Sequence, residues 1–276
     1  MSYETLRCTS VDVDGGVAWA KMDHPPMNLW DPVLTSDLVA LISAFEADEG
    51  TQVLVLTSAD PEYFIAHADV EMILGLPTDT SASGDQPAPI NQLLERLRIM
   101  PKISIALLRG IARGGGSEIA LACDLRFATP EARLAQPEVA LGIIPGAGGT
   151  QRLTRLVGRA RALEIILGCG DVTGAEAASI GYVNRVVDAA VVDDVVRALA
   201  YRIASMPPRA VAAAKRAIDA ASTDPTPGLA IEGAAFQESL QHPEAARRMR
   251  EFLAVGGQTR DGERDLEAIL DRLRPR

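Results

Sequence analysis

An α/β fold with a helical C-terminal region is predicted for this 276-residue sequence by three observations. Short aliphatic runs alternate with helix-length amphipathic stretches through the first half. From about residue 149 the pattern becomes helical. Apolar residues make up 47% of the chain and aromatics only 4%, so the core is expected to consist of small aliphatic side chains on closely packed helices.

Taken in order, Val17-Ala18-Trp19-Ala20-Lys21-Met22 and Gln52-Val53-Leu54-Val55-Leu56-Thr57 read as strands, the second buried on both faces. Between them Asp31-Pro32 starts a helix, with an acidic cap and proline in the first turn. Leu34, Leu38, Leu41, Ile42 and Phe45 then recur on one face. Pro77 to Pro89 has the composition of a mobile loop. Lys102 to Leu108 is another buried strand, leading through Gly110 into Gly114-Gly115-Gly116 and a helix over Ser117 to Ala122. Asp124 to Ala128 and Ala132 to Ala135 are short strand candidates. Thr173-Gly174-Ala175-Glu176 has capping-box spacing, with Gly181 set to end that helix. Val192, Val195, Val196, Leu199 and Ile203 mark an amphipathic helix stopped by Pro207-Pro208. The last 70 or so residues read as several helices whose apolar faces need the core or a neighbouring subunit.

Composition excludes several functions. A formal charge of −10 argues against nucleic acid as a partner, though not against an anionic small molecule. No apolar run approaches the roughly 18 residues of a membrane span, and the N-terminus lacks a secretion-signal pattern. Cys8, Cys123 and Cys169 are odd in number and unpaired in motif, as expected of free thiols in a reducing cytoplasm. His24, His67 and His242 have no ligand spacing, so no metal site is expected.

The chemistry is carried by two carboxylates beside glycine-rich turns. Glu118 closes Arg113-Gly114-Gly115-Gly116-Ser117-Glu118, and Glu138 opens the run from Gln136-Pro137 to Gly146-Ala147-Gly148-Gly149. A strand, a tight glycine turn and a helix start expose amides suited to an anion or a developing oxyanion. No Gly-Lys-Ser/Thr follows, so this is no phosphate loop. Gln151 stands where a dinucleotide fingerprint needs its third glycine. Taken singly, the glycines also suit close helix packing, Glu118 a helix first turn, and Glu138 a solvated loop. Together they suggest acid–base chemistry on a carbonyl compound.

The run from Lys102 to Thr150 resembles the signature of the enoyl-CoA hydratase/isomerase (crotonase) superfamily. It does so through Gly110, Gly114 to Glu118, Ala120-Leu121-Ala122-Cys123-Asp124, and Gln136-Pro137-Glu138 through Leu153. Phe64-Ile65-Ala66-His67-Ala68-Asp69, Asn28-Leu29 and Thr173 to Ala177 resemble further family segments. The likeness covers residues 10 to 200 well and the tail weakly.

This resemblance implies a crotonase-like spiral of ββα units over residues 1–200, holding an acyl-CoA site. Residues 201–276 would form a C-terminal helical trimerisation region that also covers the site, in a homotrimer or dimer of trimers. It further implies an acyl-CoA thioester substrate with CoA as part of the substrate and no separate cofactor. The Ala68 and Gly115 amides would grip the thioester oxygen, Glu118 and Glu138 would hold one water, and the Gly146 amide would help place it. Substrate-binding positions carried over by resemblance are Met27, Ala66, His67, Asp69, Arg113 and Gly114. Hydration of a 2-enoyl-CoA is the leading expectation. The alternatives are double-bond isomerisation or another acyl-CoA lyase reaction, and non-catalytic binding of CoA or protein.

Three departures from the family pattern stand out. His67 replaces a glycine beside the oxyanion amide, so either its backbone is strained or its ring lines a pocket wall, with reach toward the acyl chain or CoA. Arg113 replaces a common apolar residue and is expected near the acyl pocket or paired with Asp69 or another carboxylate. Arg247-Arg248 stands at a Glu-Gly position.

Overall fold

The computed structural model describes residues 3–78, 87–219 and 226–273. The chain opens with β1 (Thr9–Asp14), β2 (Val17–Met22) and α1 (Pro32–Ala47), then β3 (Val53–Ser58), β4 (Tyr63–Ile65), α2 (Val70–Leu74) and α3 (Pro89–Ile99). Next come β5 (Ile103–Leu108), β6 (Ile111–Arg113), α4 (Gly115–Ala122), β7 (Leu125–Ala128), β8 (Arg133–Ala135) and a 3-10 turn over Glu138–Leu141. α5 (Gly149–Val157), α6 (Arg159–Gly168), β9 (Val172–Thr173), α7 (Gly174–Ile180) and β10 (Arg185–Val186) complete the mixed region. The tail is helical: α8 (Val192–Ala204), α9 (Pro208–Asp219), α10 (Thr226–Gln241), α11 (Pro243–Ala254), α12 (Arg260–Arg264) and α13 (Leu266–Arg272).

The strands form two sheets, in the orders β1-β2-β3-β5-β7-β10 and β4-β6-β8-β9. β3 and β4, β5 and β6, and β7 and β8 each divide between them, so successive ββα units climb as a spiral. Within the larger sheet only the β1–β2 pair is antiparallel. β3 is buried on both faces, as its unbroken aliphatic run predicts. Leu54 and Leu56 face the main core under α1, while Val53 and Val55 face Val192, Val196 and Ala200 of α8. Asp31 caps α1 by accepting from Leu34 N at 2.8 Å, and Leu34, Leu38, Leu41, Ile42 and Phe45 are its buried face.

The structure adds to the sequence reading at four points. β1 has no apolar run, because as an edge strand it leaves most of its side chains exposed. Pro207-Pro208 does more than stop α8: Pro208 opens α9, where a missing N–H costs nothing. Of the segment read as a loop from Pro77 to Pro89, residues 79–86 lie outside the described residues, and Pro89 begins α3. Part of the tail packs on the core of this chain, one of the two arrangements expected, while Ile218 of α9 stays largely exposed. Leu240, Ala245, Met249, Phe252, Leu266 and Ile269 form one core cluster with Val70, Leu141 and Ile143. Among the described residues no helix is long and apolar enough to cross a membrane.

Candidate active site

β6 delivers the chain to the triple glycine at the heart of the molecule. Gly114 takes φ +47°, a conformation resisted by residues with a Cβ. A Cβ on Gly115 would lie 2.4 Å from the Trp30 ring, and one on Gly116 would lie 2.2 Å from the Ile65 carbonyl oxygen. The glycines thus let α4 start against β4 and the Trp30 loop.

Two backbone amides there, those of Gly115 and Ala68, lie outside the backbone hydrogen-bond ladders. Gly115 begins α4, so its N–H is among the orphan donors of a helix start. Trp30 and Ala68 form an isolated parallel bridge in which Trp30 N donates to the His67 carbonyl at 2.9 Å and Asp69 N to the Trp30 carbonyl at 3.0 Å. The Ala68 N–H between them stays out of that ladder. Asn28 braces the loop from a left-handed backbone (φ +52°). Its amide nitrogen donates to Ser58 Oγ at 2.7 Å and the Phe64 carbonyl at 3.0 Å.

Ala68, Gly115, Glu118, Glu138 and Gly146 line one cavity of about 270 Å³. Apart from Thr35 its other walls are apolar, Met72, Ile73, Leu76, Ile90, Ile143, Ile144 and Phe236 among them. A larger cavity of about 510 Å³ lies between the Leu167–Asp171 segment, Arg248 and α13, and it contains neither glutamate. Both candidate carboxylates therefore belong to the smaller one.

The two carboxylates differ in surroundings. Glu118 Oε1 accepts from Ala147 N at 2.8 Å and Gly149 N at 2.7 Å. Burial pushes its pKa up to about 8, the nearby Glu232 charge adding to the shift and the two amides and Arg152 opposing it. Glu138 Oε2 is buried without a hydrogen-bond partner. Burial first, then the charge of Glu118, holds that carboxyl well above the usual range.

A third carboxylate joins them that the sequence does not signal. Glu232 of α10 is buried and accepts from Gly148 N at 2.6 Å, Thr150 N at 2.9 Å and Thr150 Oγ1. Four successive amides at the start of α5 thus alternate between Glu118 and Glu232, a pattern permitted by Gly148 at φ +104°. Burial also raises the Glu232 pKa. Nothing near it in sequence marks it, since it sits in an ordinary alanine-rich helix.

The remaining expected binding residues lie elsewhere. His67 and Gly114 line a small adjoining cavity of about 30 Å³ that shares Ala68, Gly115 and Glu138. Met27 and Ala66 are packed with Tyr63 and Ile111 in a separate apolar cluster. Asp69 caps α2 through Glu71 N at 2.9 Å and accepts from Gln258 Nε2 at 3.1 Å. Arg113 does not pair with Asp69. Fully buried, it reaches Asp171 at 2.7 Å and Glu263 at 3.2 Å, so its charge is spent away from the cavity. His67 has no left-handed backbone, and its ring turns to Glu263 at 3.0 Å rather than into the cavity. Arg247 and Arg248 pair with Glu244 on the face of α11. Among the described residues no group of three His, Cys, Asp or Glu side chains is placed to hold a metal ion.

Comparison with known proteins gives consistent results. The family model for enoyl-CoA hydratase/isomerase matches residues 12–254, well into the tail. The short-chain-enoyl-CoA hydratase of Clostridium acetobutylicum is 34% identical over 88% of this chain and 93% of its own length. The crotonyl-CoA hydratase of Syntrophomonas wolfei is 35% identical over 92% and 96%. A Streptomyces avermitilis crystal structure superposes with a TM-score of 0.88 at 35% identity, covering 98% of this chain and 99% of that one. An enoyl-CoA hydratase from Mycobacterium avium subsp. paratuberculosis K-10 superposes at 0.78 with 26% identity, covering 90% and 96%.

Proposed function

Since the chain belongs to the enoyl-CoA hydratase/isomerase family and has its crotonase fold, we propose that it is an enoyl-CoA hydratase adding water across the α,β double bond of a 2-enoyl-CoA thioester. The observation that carries this reading is the pair Glu118 and Glu138 lining one apolar-walled cavity with Ala68 and Gly115. The hydratase names of its relatives support the same reaction.

In this mechanism the thioester oxygen accepts hydrogen bonds from the Ala68 and Gly115 amides. They polarise the conjugated system and stabilise the enolate formed when water attacks the β-carbon. Glu118 and Glu138 hold the water between them, with the Gly146 amide helping to orient it. Glu118 takes a proton as the water adds, and Glu138 gives one to the α-carbon. The environments suit this division. Two amides steady a charge on Glu118, while Glu138 has an oxygen with no donor and favours its proton. CoA enters as part of the substrate, with the acyl chain against Met72, Ile73 and Phe236.

Glu118→Gln and Glu138→Gln, assayed separately on crotonyl-CoA, should each lose at least about 10²-fold in kcat, the usual scale of a lost proton-transfer group. Near-normal turnover in either removes the mechanism. A panel of 2-enoyl-CoAs from four to sixteen carbons, with product stereochemistry, defines the acyl preference. Isomerisation of a 3-enoyl-CoA in deuterated water without hydration would replace the hydratase reading.

A further inference from the structure

His67 and Arg113 take no part in the chemistry above, yet they belong to a chain of charges directly behind the oxyanion loop, buried except at its exposed Asp171 end. His67 Nδ1 lies 2.8 Å from the Ala68 carbonyl oxygen, which can only accept, so that nitrogen carries a proton. Nε2 lies 3.0 Å from Glu263 Oε1. Glu263, in α12, also accepts from Gln258 N at 2.9 Å and, through Oε2, from Arg113 Nη1 at 3.2 Å. The same Nη1 donates to the Glu263 backbone carbonyl at 2.6 Å. Arg113 turns its Nε and Nη2 onto Asp171 at 2.8 and 2.7 Å. The four side chains alternate in sign, so each buried charge has an opposite neighbour. The Phe252 ring packs against the imidazole, centroids 5.8 Å apart.

This chain ends on the peptide groups that aim the Ala68 amide. The plane carrying that N–H is held on its carbonyl side by Trp30 N, and the next plane by the bond from His67 Nδ1 to the Ala68 carbonyl. The same loop is tied to the tail a second time through Gln258, whose side chain bonds Val70 N and Asp69 Oδ1.

We propose that His67 is a positioning residue for the oxyanion site: donating from both ring nitrogens, it couples the seating of α12, through Glu263, to the orientation of the Ala68 amide. The inference rests on the hydratase reading and deepens it, because it makes the C-terminal helices part of the machinery that holds the thioester oxygen. The groups facing the imidazole are Glu263 from α12 and Arg113 from β6, with Asp171 behind Arg113. Beyond Glu263 lies Tyr63 of β4, with the Arg260 guanidinium over its ring. Burial pulls the His67 pKa down, but Glu263 and the Ala68 carbonyl together raise it above the ordinary histidine value. Burial likewise works against the Glu263 charge, yet His67 and Arg113 bring that carboxyl down to about 2.

The test reads the ring and the site separately. Nitrogen-15 spectra of the histidines should show His67 keeping both ring protons to higher pH than a free histidine does, and Glu263→Gln should make that ring titrate at lower pH. Binding of 2,4-hexadienoyl-CoA reads carbonyl polarisation without turnover, as a shift of its absorption to longer wavelength. Glu263→Gln and His67→Gln, both checked for native circular dichroism, should still bind this probe but shift it less. Their kcat on crotonyl-CoA should fall about ten-fold, short of the ~10²–10³ lost with an oxyanion donor itself. Glu263→Gln keeps the carboxylate's shape, and His67→Gln keeps one side-chain donor, so a folding failure of one variant leaves the other to decide. A His67 ring that titrates as a free histidine in the wild type, or variants that polarise the probe as fully as the wild type, overturns the proposal. A wild type that shifts the probe but hydrates nothing sinks the hydratase reading alone. One that leaves the absorption unmoved sinks both.

Discussion

Glu118 and Glu232 share the first turn of α5, and their mutual repulsion has a measurable consequence. Glu118 must be ionised to accept a proton from water, so kcat should rise with pH toward the value of about 8 that burial and Glu232 impose. Glu232→Gln removes one of the two causes that push this pKa up, while Arg152 still pulls it down. The ascending limb of the pH–rate profile should therefore move to lower pH; an unmoved limb means that Glu232 only holds the loop. Gly115 is a second residue with a sharp prediction. A methyl there would meet the Trp30 ring at 2.4 Å and the Ala68 Cβ at 3.2 Å. Gly115→Ala should displace the oxyanion amide and cost about 10²-fold or more in kcat, on the scale of losing one donor. The tight turn at these glycines was legible in the Gly-Gly-Gly run itself, and the structure shows the close packing it permits against Trp30 and Ile65. The partners of His67 and Arg113 were not legible. Glu263 lies 196 and 150 positions along the chain from them, and for Arg113 the sequence named only Asp69 or another carboxylate.

The helices follow their local signals closely. α7 has the capping box that its sequence spells: Glu176 N donates to Thr173 Oγ1, and Glu176 Oε2 accepts from Thr173 N at 2.9 Å. Thr173→Ala should lower stability by about 1 kcal/mol in denaturant unfolding, with little effect on kcat, because α7 lies outside the cavity. Strands were legible in proportion to their length. β3 and β5 are long aliphatic runs buried on both sheet faces. β4, β6, β9 and β10 have two or three residues each, too few for any periodicity to register, whereas the equally short β8 falls within the Ala132–Ala135 candidate. β1 escaped notice for the opposite reason, since an edge strand of alternating aspartates satisfies pairing without apolar content.

At the scale of the molecule, the tail closes over the spiral, and the buried carboxylates set opposing pH dependences. Glu263 has a folded-state pKa of about 2 against 4.5 unfolded, so its contribution is full above pH 4.5 and is lost as pH falls through about 2. A shift of that size corresponds to on the order of 3 kcal/mol for a buried ion pair. The melting temperature should fall as pH drops through this window, and Glu263→Gln should flatten that part of the curve. Glu118 has its pKa raised from 4.5 to about 8, so the stability linked to its protonation is present below pH 4.5 and declines as pH climbs through about 8. Glu118→Gln should flatten the decline between pH 4.5 and about 8. Measuring melting temperature against pH for the two variants separates the windows.

The amino-acid sequence alone determined the alternation of strands and helices, the glycine turn, and the nomination of both cavity carboxylates. Each depends on residues within one or two turns of each other, where side-chain type and spacing dictate conformation. Only the tertiary structure decided what surrounds those groups. It seated Glu232 against the amides of α5, drew His67 and Arg113 to Glu263, and folded the tail over the spiral of the same chain. Such contacts join residues whose separation along the chain carries no record of their proximity, because burial and charge pairing act through space and not along the backbone.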